Sequence, residues 1–162
     1  MRILLIEPST GERGITSFLY PPMGLIALAS YLRQHNNEVS IFDANIEQVH
    51  HEKIIEAIEN FMPDIVGISA MTLTIQGAFK IAHEVKCINS VLKVVLGGIH
   101  PTVCPEQSLS SNNVDFVIRG EGEITALELL DALKNKETDF SKIKGLAYKN
   151  ENEIMVNMPR EL

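Results

Sequence analysis

The chain has 162 residues, of which 45% are hydrophobic and 22% are charged, so it is long enough to form one domain around a core. Its formal net charge of −7 argues against a nucleic-acid partner, because a surface that follows phosphates needs a basic excess. Its apolar runs fall short of the about 18 residues of a membrane span, and the first run is too short for a signal peptide, so we expect a cytoplasmic protein without a membrane span.

Five short apolar runs predict strands. They are rich in Val and Ile and mostly continuous rather than alternating, which is typical of strands buried on both faces of a parallel sheet. The runs cover residues 2–7, 38–44, 64–70, 93–98 and 114–120.

Apolar residues spaced as on one face of a helix lie between these runs. The spacing predicts helices over 25–32, 54–62, 75–85 and 123–135, and a short helix beginning near Pro105. Strands and helices that alternate through right-handed crossovers form a three-layer, doubly wound sheet. We therefore predict an α/β fold of the Rossmann-like, flavodoxin-like type, with five parallel strands in the order 2-1-3-4-5.

The end of the sequence has a different pattern. Two β-prone runs flank "KNEN" within residues 143–157, which predicts a C-terminal β-hairpin after the last helix. The final "MPREL" carries no signal for a helix cap or the end of a strand. We expect an α/β domain over 1–140, followed over 141–162 by the hairpin and the start of a connector, and we expect this to be the N-terminal part of a longer protein.

A ligand is expected at the carboxyl ends of the predicted strands. Ligands of open parallel sheets bind beyond those ends, near the point where strand order reverses, here between the first and third strands. The segments at that edge are 7–24, 69–74, 97–106 and 119–123. The first segment is long, because Pro21 and Pro22 delay the first helix, so it is either a functional loop or a flexible surface loop.

Small residues after the third and fourth strands are candidate ligand contacts. Ser69, Thr72 and Thr74 carry hydroxyl groups that either donate to a ligand or cap the following helix. Gly97 and Gly98 either form a tight turn or let the backbone approach a flat ligand with no Cβ between them. The ligand interpretation is favoured for this pair, because a tight turn alone rarely needs two successive glycines.

No metal site is predicted within the chain. His100 and Cys104 lie close together in sequence, but no third ligand is near them. Pro101 and Pro105 also disfavour a regular helix across the pair. Cys87 and Cys104 form no CxxC or CxxxCxxC motif, so we expect reduced thiols and no iron–sulfur cluster here. His100 is instead expected to hydrogen bond to a ligand or to the backbone.

Phosphate-binding functions fit the sequence poorly. Glu121 and Glu123 lie in the first turn of the last helix, where they suit the helix dipole but make a poor phosphate cradle. A flavodoxin-like FMN carrier is a weaker interpretation, because the first helix begins about ten residues beyond "PSTG" and a phosphate loop should run directly into a helix. A phosphoacceptor receiver domain is rejected, because residues 68–70 read Ile-Ser-Ala where it needs an aspartate.

Five segments together resemble one known family. They are "YPPMGLIALASYLR" (20–33), "PDIVGIS" (63–69), "VVLGGIHPTVCPE" (94–106), "VDFVIRGEGE" (114–123) and "IKGLAYKNENEI" (143–154). In this order and spacing the sequence resembles the N-terminal cobalamin-binding domain of radical S-adenosylmethionine (SAM) enzymes. That group includes the anaerobic magnesium-protoporphyrin IX monomethyl ester cyclase and several cobalamin-dependent methyltransferases. The similarity covers essentially the whole chain.

The resemblance implies a site for cobalamin (vitamin B12). Gly97 and Gly98 match the glycine pair over which the cobalamin nucleotide tail lies, and Ser69 matches the serine that faces the benzimidazole of that tail. The loop from Ser9 to Pro22 would lie under the corrin ring. The cofactor-binding residues expected are Ser9, Thr10, Tyr20, Pro21, Gly24, Ser69, Met71, Thr72, Thr74, Gly97, Gly98, His100, Gly120 and Glu121.

The sequence departs from the family pattern in two ways. The DxHxxG motif after the first strand is absent, since the region reads "EPSTGERG", so the resemblance implies base-off cobalamin with no protein histidine on cobalt. The CxxxCxxC motif that holds a [4Fe–4S] cluster for S-adenosylmethionine cleavage belongs to a following radical SAM barrel domain, which would be the partner of this one. The chain alone is therefore expected to bind but not to catalyse. A domain of the same lineage that no longer binds cobalamin, and is structural or contacts substrate, stays open.

Overall fold

The computed structural model describes residues 1–9, 21–45, 51–151 and 153–161. Within these ranges the strands are β1 (Arg2–Glu7), β2 (Glu38–Asp43), β3 (Ile65–Ser69), β4 (Lys93–Gly97), β5 (Phe116–Ile118), β6 (Leu146–Asn150) and β7 (Glu153–Val156). They form one sheet in the order β2-β1-β3-β4-β5-β6-β7.

The predicted order of the parallel strands is confirmed. β1 pairs in parallel with β2 on one side and with β3 on the other, and β4 and β5 continue the parallel series. The predicted C-terminal hairpin is also present. Its first strand, β6, pairs antiparallel with β5, with Tyr148 opposite Phe116, and β7 pairs antiparallel with β6. The hairpin therefore extends the main sheet by two strands.

The helices agree with the predicted pattern except around the double glycine. They are α1 (Met23–Gln34), α2 (His51–Phe61), α3 (Ile75–Ile88), α4 (Ile99–Val103), α5 (Pro105–Leu109) and α6 (Glu123–Lys134). The one-turn helix α4 is not predicted from the sequence. It tolerates Pro101 because the missing N–H falls in the first turn, where a helix has no internal partner for it. The helical conformation breaks at Cys104, so no continuous helix joins His100 to Cys104.

The sheet is covered on both faces, which explains the continuous apolar runs. In β1, Leu4 and Ile6 pack on the side of α2 and α3, whereas Ile3 and Leu5 pack on the side of α1 and α6. All four side chains are at most 3% exposed. Among the helices that the structure describes, none is long and apolar enough to cross a membrane.

The residues after β7 fold back onto the sheet. The Gly145 N–H donates to the Met158 carbonyl at 2.8 Å, and Arg160 Nε donates to the Thr125 hydroxyl on α6 at 3.1 Å. The chain is thus held against the domain as far as Arg160. The division at residue 140 and the connector role of the last residues remain predictions.

Candidate functional site

A cleft of about 250 Å³ opens at the carboxyl edge of the parallel strands, between the sheet and helices α1 and α6. It lies beside the reversal of strand order between β1 and β3, where ligands of such sheets bind. The structure brings six of the predicted cofactor-binding residues together around this cleft. They are Gly24, Ser69, Gly97, Gly98, Gly120 and Glu121.

The cleft is a deep slot rather than a shallow depression. Along β3 its wall runs from Ser69 at the edge to Ile65, which is about 13 Å of strand. Along α1 its wall runs from Gly24 to Leu32, which is about 12 Å of helix. The residues that line the cleft are therefore distributed over most of the depth of the sheet.

The two glycines at the mouth of the cleft have different structural roles. Gly98 has a φ of +100°, and a Cβ there would lie 2.8 Å from the carbonyl oxygen of Ala70 and 3.0 Å from its nitrogen. A Cβ on Gly97 would come no closer than 4.0 Å to a neighbouring atom, the Ile118 carbonyl oxygen. The local backbone therefore requires glycine only at position 98. The missing side chain at position 97 keeps the mouth of the cleft open.

Thr102 connects the loops that form this mouth, and the sequence analysis did not identify it. Its hydroxyl donates to the Gly98 carbonyl at 2.8 Å and accepts the Gly120 N–H at 2.9 Å. One side chain thus joins the segment after β4 to the segment after β5. The available signal was a threonine four residues after Gly98, but it has meaning only once α4 is known.

Gly67 is a second residue that the sequence analysis missed. It lies in the middle of β3, in register with Leu5 of β1, and both residues line the cleft. A Cβ on Gly67 would come within 2.8 Å of Leu5 Cδ2. A glycine inside a buried strand often marks a close approach of a ligand or a backbone, and "IVGIS" carried that signal.

The polar side chains at the mouth are mostly acidic. Burial raises the pKa of Glu7, at the end of β1, above its ordinary value; a hydrogen bond from the Ser69 hydroxyl opposes this rise, and the negative charge of Asp43 adds to it. Glu121 and Glu123 line the opposite side of the mouth. Glu121 and Glu123 therefore border the cleft directly, whereas Glu7 lies beside Ser69, which lines it.

We expect Glu7→Gln to stabilise the domain increasingly as the pH rises above 4.5, the ordinary pKa of the side chain. Because folding raises this pKa, the native state binds the proton more tightly than the unfolded state. The resulting stability is fully present below the ordinary pKa and is lost as the pH rises through the raised one. The introduced amide is uncharged and still accepts from Ser69. Urea midpoints of the wild type and Glu7→Gln should be measured from pH 4 to pH 8. They should agree near pH 4, and the midpoint of Glu7→Gln should be the higher one near pH 8. A difference between the midpoints that does not change with pH would contradict this.

Four predicted residues lie at the same edge of the sheet but do not line the cleft: Met71, Thr72, Thr74 and His100. Thr74 is only 2% exposed, and its hydroxyl accepts the Met71 N–H at 3.0 Å, so it closes a turn and makes no capping bond to α3. Thr72 is exposed, and its hydroxyl lies 3.3 Å from Nδ1 of His100. His100 is 6% exposed, its backbone N–H donates to the Ala70 carbonyl at 3.1 Å, and its Nε2 has no partner among the described residues.

The remaining predicted residues belong to the loop between β1 and α1. Ser9 and Pro21 are exposed at its two ends. Thr10 and Tyr20 lie outside the described residues, so their assignment to a cofactor stays a prediction.

The thiols form no metal cluster in the part of the chain that the structure describes. Groups of three or more potential metal ligands are absent there. Cys87 is exposed, with its sulfur 3.6 Å from Nε2 of His83, and Cys104 is partly buried. Within the described ranges, no further metal-ligating side chain joins Cys87 and His83, and Cys104 belongs to no such group.

Proteins of known sequence resemble this chain over its whole length. An uncharacterised methyltransferase of Pyrococcus horikoshii is 39% identical over 165 residues, which cover 100% of this chain and 36% of the relative. The anaerobic magnesium-protoporphyrin IX monomethyl ester cyclase of Rubrivivax gelatinosus is 32% identical over 99% of this chain and 30% of its own. The chain thus spans about a third of the length of these relatives.

Solved structures share the fold. The radical S-adenosylmethionine methyltransferase TsrM of Kitasatospora setae, solved with cobalamin and a [4Fe–4S] cluster, superposes with a TM-score of 0.82 over 99% of this chain and 29% of its own, at 22% identity. The cobalamin-dependent S-adenosylmethionine radical enzyme OxsB, with aqua-cobalamin bound, gives 0.81 at 24% identity over 99% of this chain and 22% of its own. The B12 binding domain model matches residues 16–130. On this match, which covers most of the sequence, the chain belongs to the B12 binding domain family.

Proposed function

We propose that this domain binds cobalamin in the base-off form, with the nucleotide tail in the cleft and the corrin ring over the carboxyl edge of the sheet. The main support is the open position at Gly97, where neither a positive φ nor a neighbouring atom requires glycine. The space that a Cβ would fill lies at the mouth of the slot between α1 and α6. A planar ring can enter the slot only while that space stays free.

The size of the cleft suits part of a cofactor rather than all of it. Its volume of about 250 Å³ lies just below the roughly 300–1,000 Å³ of sites that enclose a whole drug-sized ligand. A corrin ring with its nucleotide tail is larger than this, so only the tail is placed inside. Ser69, Gly97 and Gly98 would contact the tail, and the segment from Ser9 to Pro22 would lie under the corrin.

The base-off form follows from placing the tail in the cleft. A base that is buried in the slot cannot at the same time ligate cobalt. From Glu7, the last residue of β1, the sequence reads "EPSTGERG", with no histidine to take the place of that base. We therefore propose that cobalt has no imidazole ligand from this segment on its lower face.

For the whole protein we propose a radical SAM enzyme in which this domain is the cofactor-binding module. This rests on relatives that are about three times as long as the chain, among them a named cyclase. The [4Fe–4S] cluster and S-adenosylmethionine would belong to a following barrel domain, in a cytoplasmic protein. Cobalamin, when bound, would supply a methyl carrier or a redox-active metal. The residues described here would hold and orient the cofactor, and the domain alone would not catalyse.

A second candidate is a domain of the same lineage that does not bind cobalamin and acts as a structural or substrate-contacting module. The acidic mouth favours it, because the phosphodiester of the tail would pass close to Glu121 and Glu123. An FMN carrier is less favoured. β1 ends at Glu7, and the next helix among the described residues, α1, begins at Met23, whereas an FMN phosphate loop should lead directly from the strand into a helix.

Titration with hydroxocobalamin tests the proposal. We expect the visible absorbance of the corrinoid to shift on mixing, and the corrinoid to co-elute with the protein in gel filtration. FMN, added in parallel as a control, should elute apart from the protein. Absence of both the shift and co-elution at near-millimolar cobalamin would contradict the proposal and support the second candidate.

A further inference from the structure

We infer that the cleft selects corrinoids by their lower base, accepting dimethylbenzimidazole in preference to a purine such as adenine. This inference rests on the proposed cobalamin site and deepens it. It concerns the inner end of the slot, which lies beyond the cofactor-binding residues predicted from the sequence. The far edge of dimethylbenzimidazole carries two methyl groups, whereas the far edge of adenine carries an amino group and ring nitrogens.

The polar side chains of the cleft are confined to its mouth. Of the described residues that line it, only Ser69, Glu121 and Glu123 have polar side chains, and all three lie at the carboxyl edge. Farther in, the wall is aliphatic on the sheet side and on both helices. The inner wall comprises Ile3, Leu5, Leu28, Leu32, Ile65, Val95, Leu129 and Leu130.

The backbone at the inner end is equally unable to hydrogen bond to a ligand. β1 lies between β2 and β3, and β3 lies between β1 and β4, so the N–H and C=O groups of these central strands are used by their neighbours. Backbone groups inside α1 and α6 are used within each helix. A base that reaches the inner end therefore meets only hydrocarbon.

These surroundings distinguish the two bases. The methylated edge of dimethylbenzimidazole gains by leaving water. The amino group and ring nitrogens of adenine would give up hydrogen bonds to water and find no replacement. We expect this loss to weaken binding roughly tenfold to a hundredfold.

Gly67 sets the width of the slot at the depth of the base. Since a Cβ there would meet Leu5 Cδ2 at 2.8 Å, a side chain at position 67 would either occupy the slot or push Leu5 into it. The clash involves the flexible end of a side chain rather than backbone, so the fold can absorb it. Gly67→Ala should therefore narrow the slot without unfolding the domain.

The test compares dissociation constants of the domain for three corrinoids by absorbance titration. The probes are hydroxocobalamin, its analogue with adenine as the lower base, and cobinamide, which has no nucleotide tail. We expect hydroxocobalamin to bind at least tenfold more tightly than the adenine analogue. Equal binding of the two, or tighter binding of the adenine analogue, would overturn the inferred selectivity but would still support the proposed cobalamin site. If none of the three binds, the proposed function itself fails.

Two variants test the physical cause. Gly67→Ala should weaken the binding of hydroxocobalamin several-fold and leave the binding of cobinamide unchanged. The control is Gly77→Ala on α3, where a Cβ would have an ordinary 3.8 Å contact; it should change the binding of neither corrinoid. Leu28→Gln places an amide on the half-buried wall from α1 and should reduce the preference for dimethylbenzimidazole. A preference that persists unchanged in Leu28→Gln, or a loss of cobinamide binding in Gly67→Ala, would overturn the explanation.

Discussion

Replacing Gly97 with leucine should weaken cobalamin binding strongly while leaving the domain folded. The side chain would enter the mouth of the cleft, where a Cβ has 4.0 Å of clearance but a bulky group would block a planar ring. A base that buries about 100 Å² of apolar surface contributes about 2.5 kcal/mol at roughly 25 cal/mol per Å². Excluding the base should weaken the binding of hydroxocobalamin by roughly a hundredfold. Absorbance titration measures the loss.

Cobinamide and thermal unfolding supply the controls for Gly97→Leu. Because cobinamide has no tail, its weaker binding should be nearly the same in the variant and in the wild type. The circular dichroism spectrum should keep its α/β shape, and Gly97→Ala should unfold close to the wild-type temperature. Undiminished binding of hydroxocobalamin by Gly97→Leu would show that the tail does not pass this glycine.

Replacing Gly98 with alanine should destabilise the fold itself. Its φ of +100° is strained for any residue with a Cβ, and the added atom would meet the Ala70 carbonyl oxygen at 2.8 Å. Relief by movement is difficult, because Ala70 is held on both sides: its N–H donates to the Gly97 carbonyl at 2.8 Å, and its carbonyl accepts from His100 at 3.1 Å. We expect a loss of about 2 kcal/mol or more in the free energy of unfolding.

Urea denaturation of Gly98→Ala beside Gly97→Ala is the matched measurement, since the two changes are chemically identical and adjacent. The urea midpoint should fall markedly in Gly98→Ala and only a little in Gly97→Ala. Equal midpoints would contradict the assignment of one glycine to the backbone and the other to the cleft. Any loss of cobalamin binding in Gly98→Ala should be interpreted only at temperatures where the variant is folded.

The arrangement of the sheet could be read from the sequence. Most of the five parallel strands are apolar runs rich in Val and Ile, because both faces of a parallel sheet are covered. Helical spacing between the runs then restricts the topology, since crossovers are right-handed and short. This was enough to predict the order 2-1-3-4-5 and to collect Ser69, Gly97 and Gly120 at one edge, where the cleft opens.

The interior of the cleft could not be read in the same way. Gly67 and Leu5 belong to different strands, and only the parallel register between β1 and β3 brings them together. The bond pattern of Thr102 depends on the one-turn helix α4, which is too short to show a periodic signal. Thr74 appeared to be either a ligand donor or a helix cap, and its hydroxyl serves a third purpose by closing a turn on Met71.

By itself the sequence determined the fold class, the strand order and the edge at which a ligand is expected, because these follow from local patterns of burial repeated along the chain. Tertiary structure alone decided the cleft: its depth, its aliphatic inner end and the separate reasons for Gly97 and Gly98. The physical reason is that clearance around an atom depends on residues distant in sequence. Gly97 and Gly98 are the same residue type in the sequence, and only the structure shows that they differ in backbone conformation and in the atoms that lie where a Cβ would be.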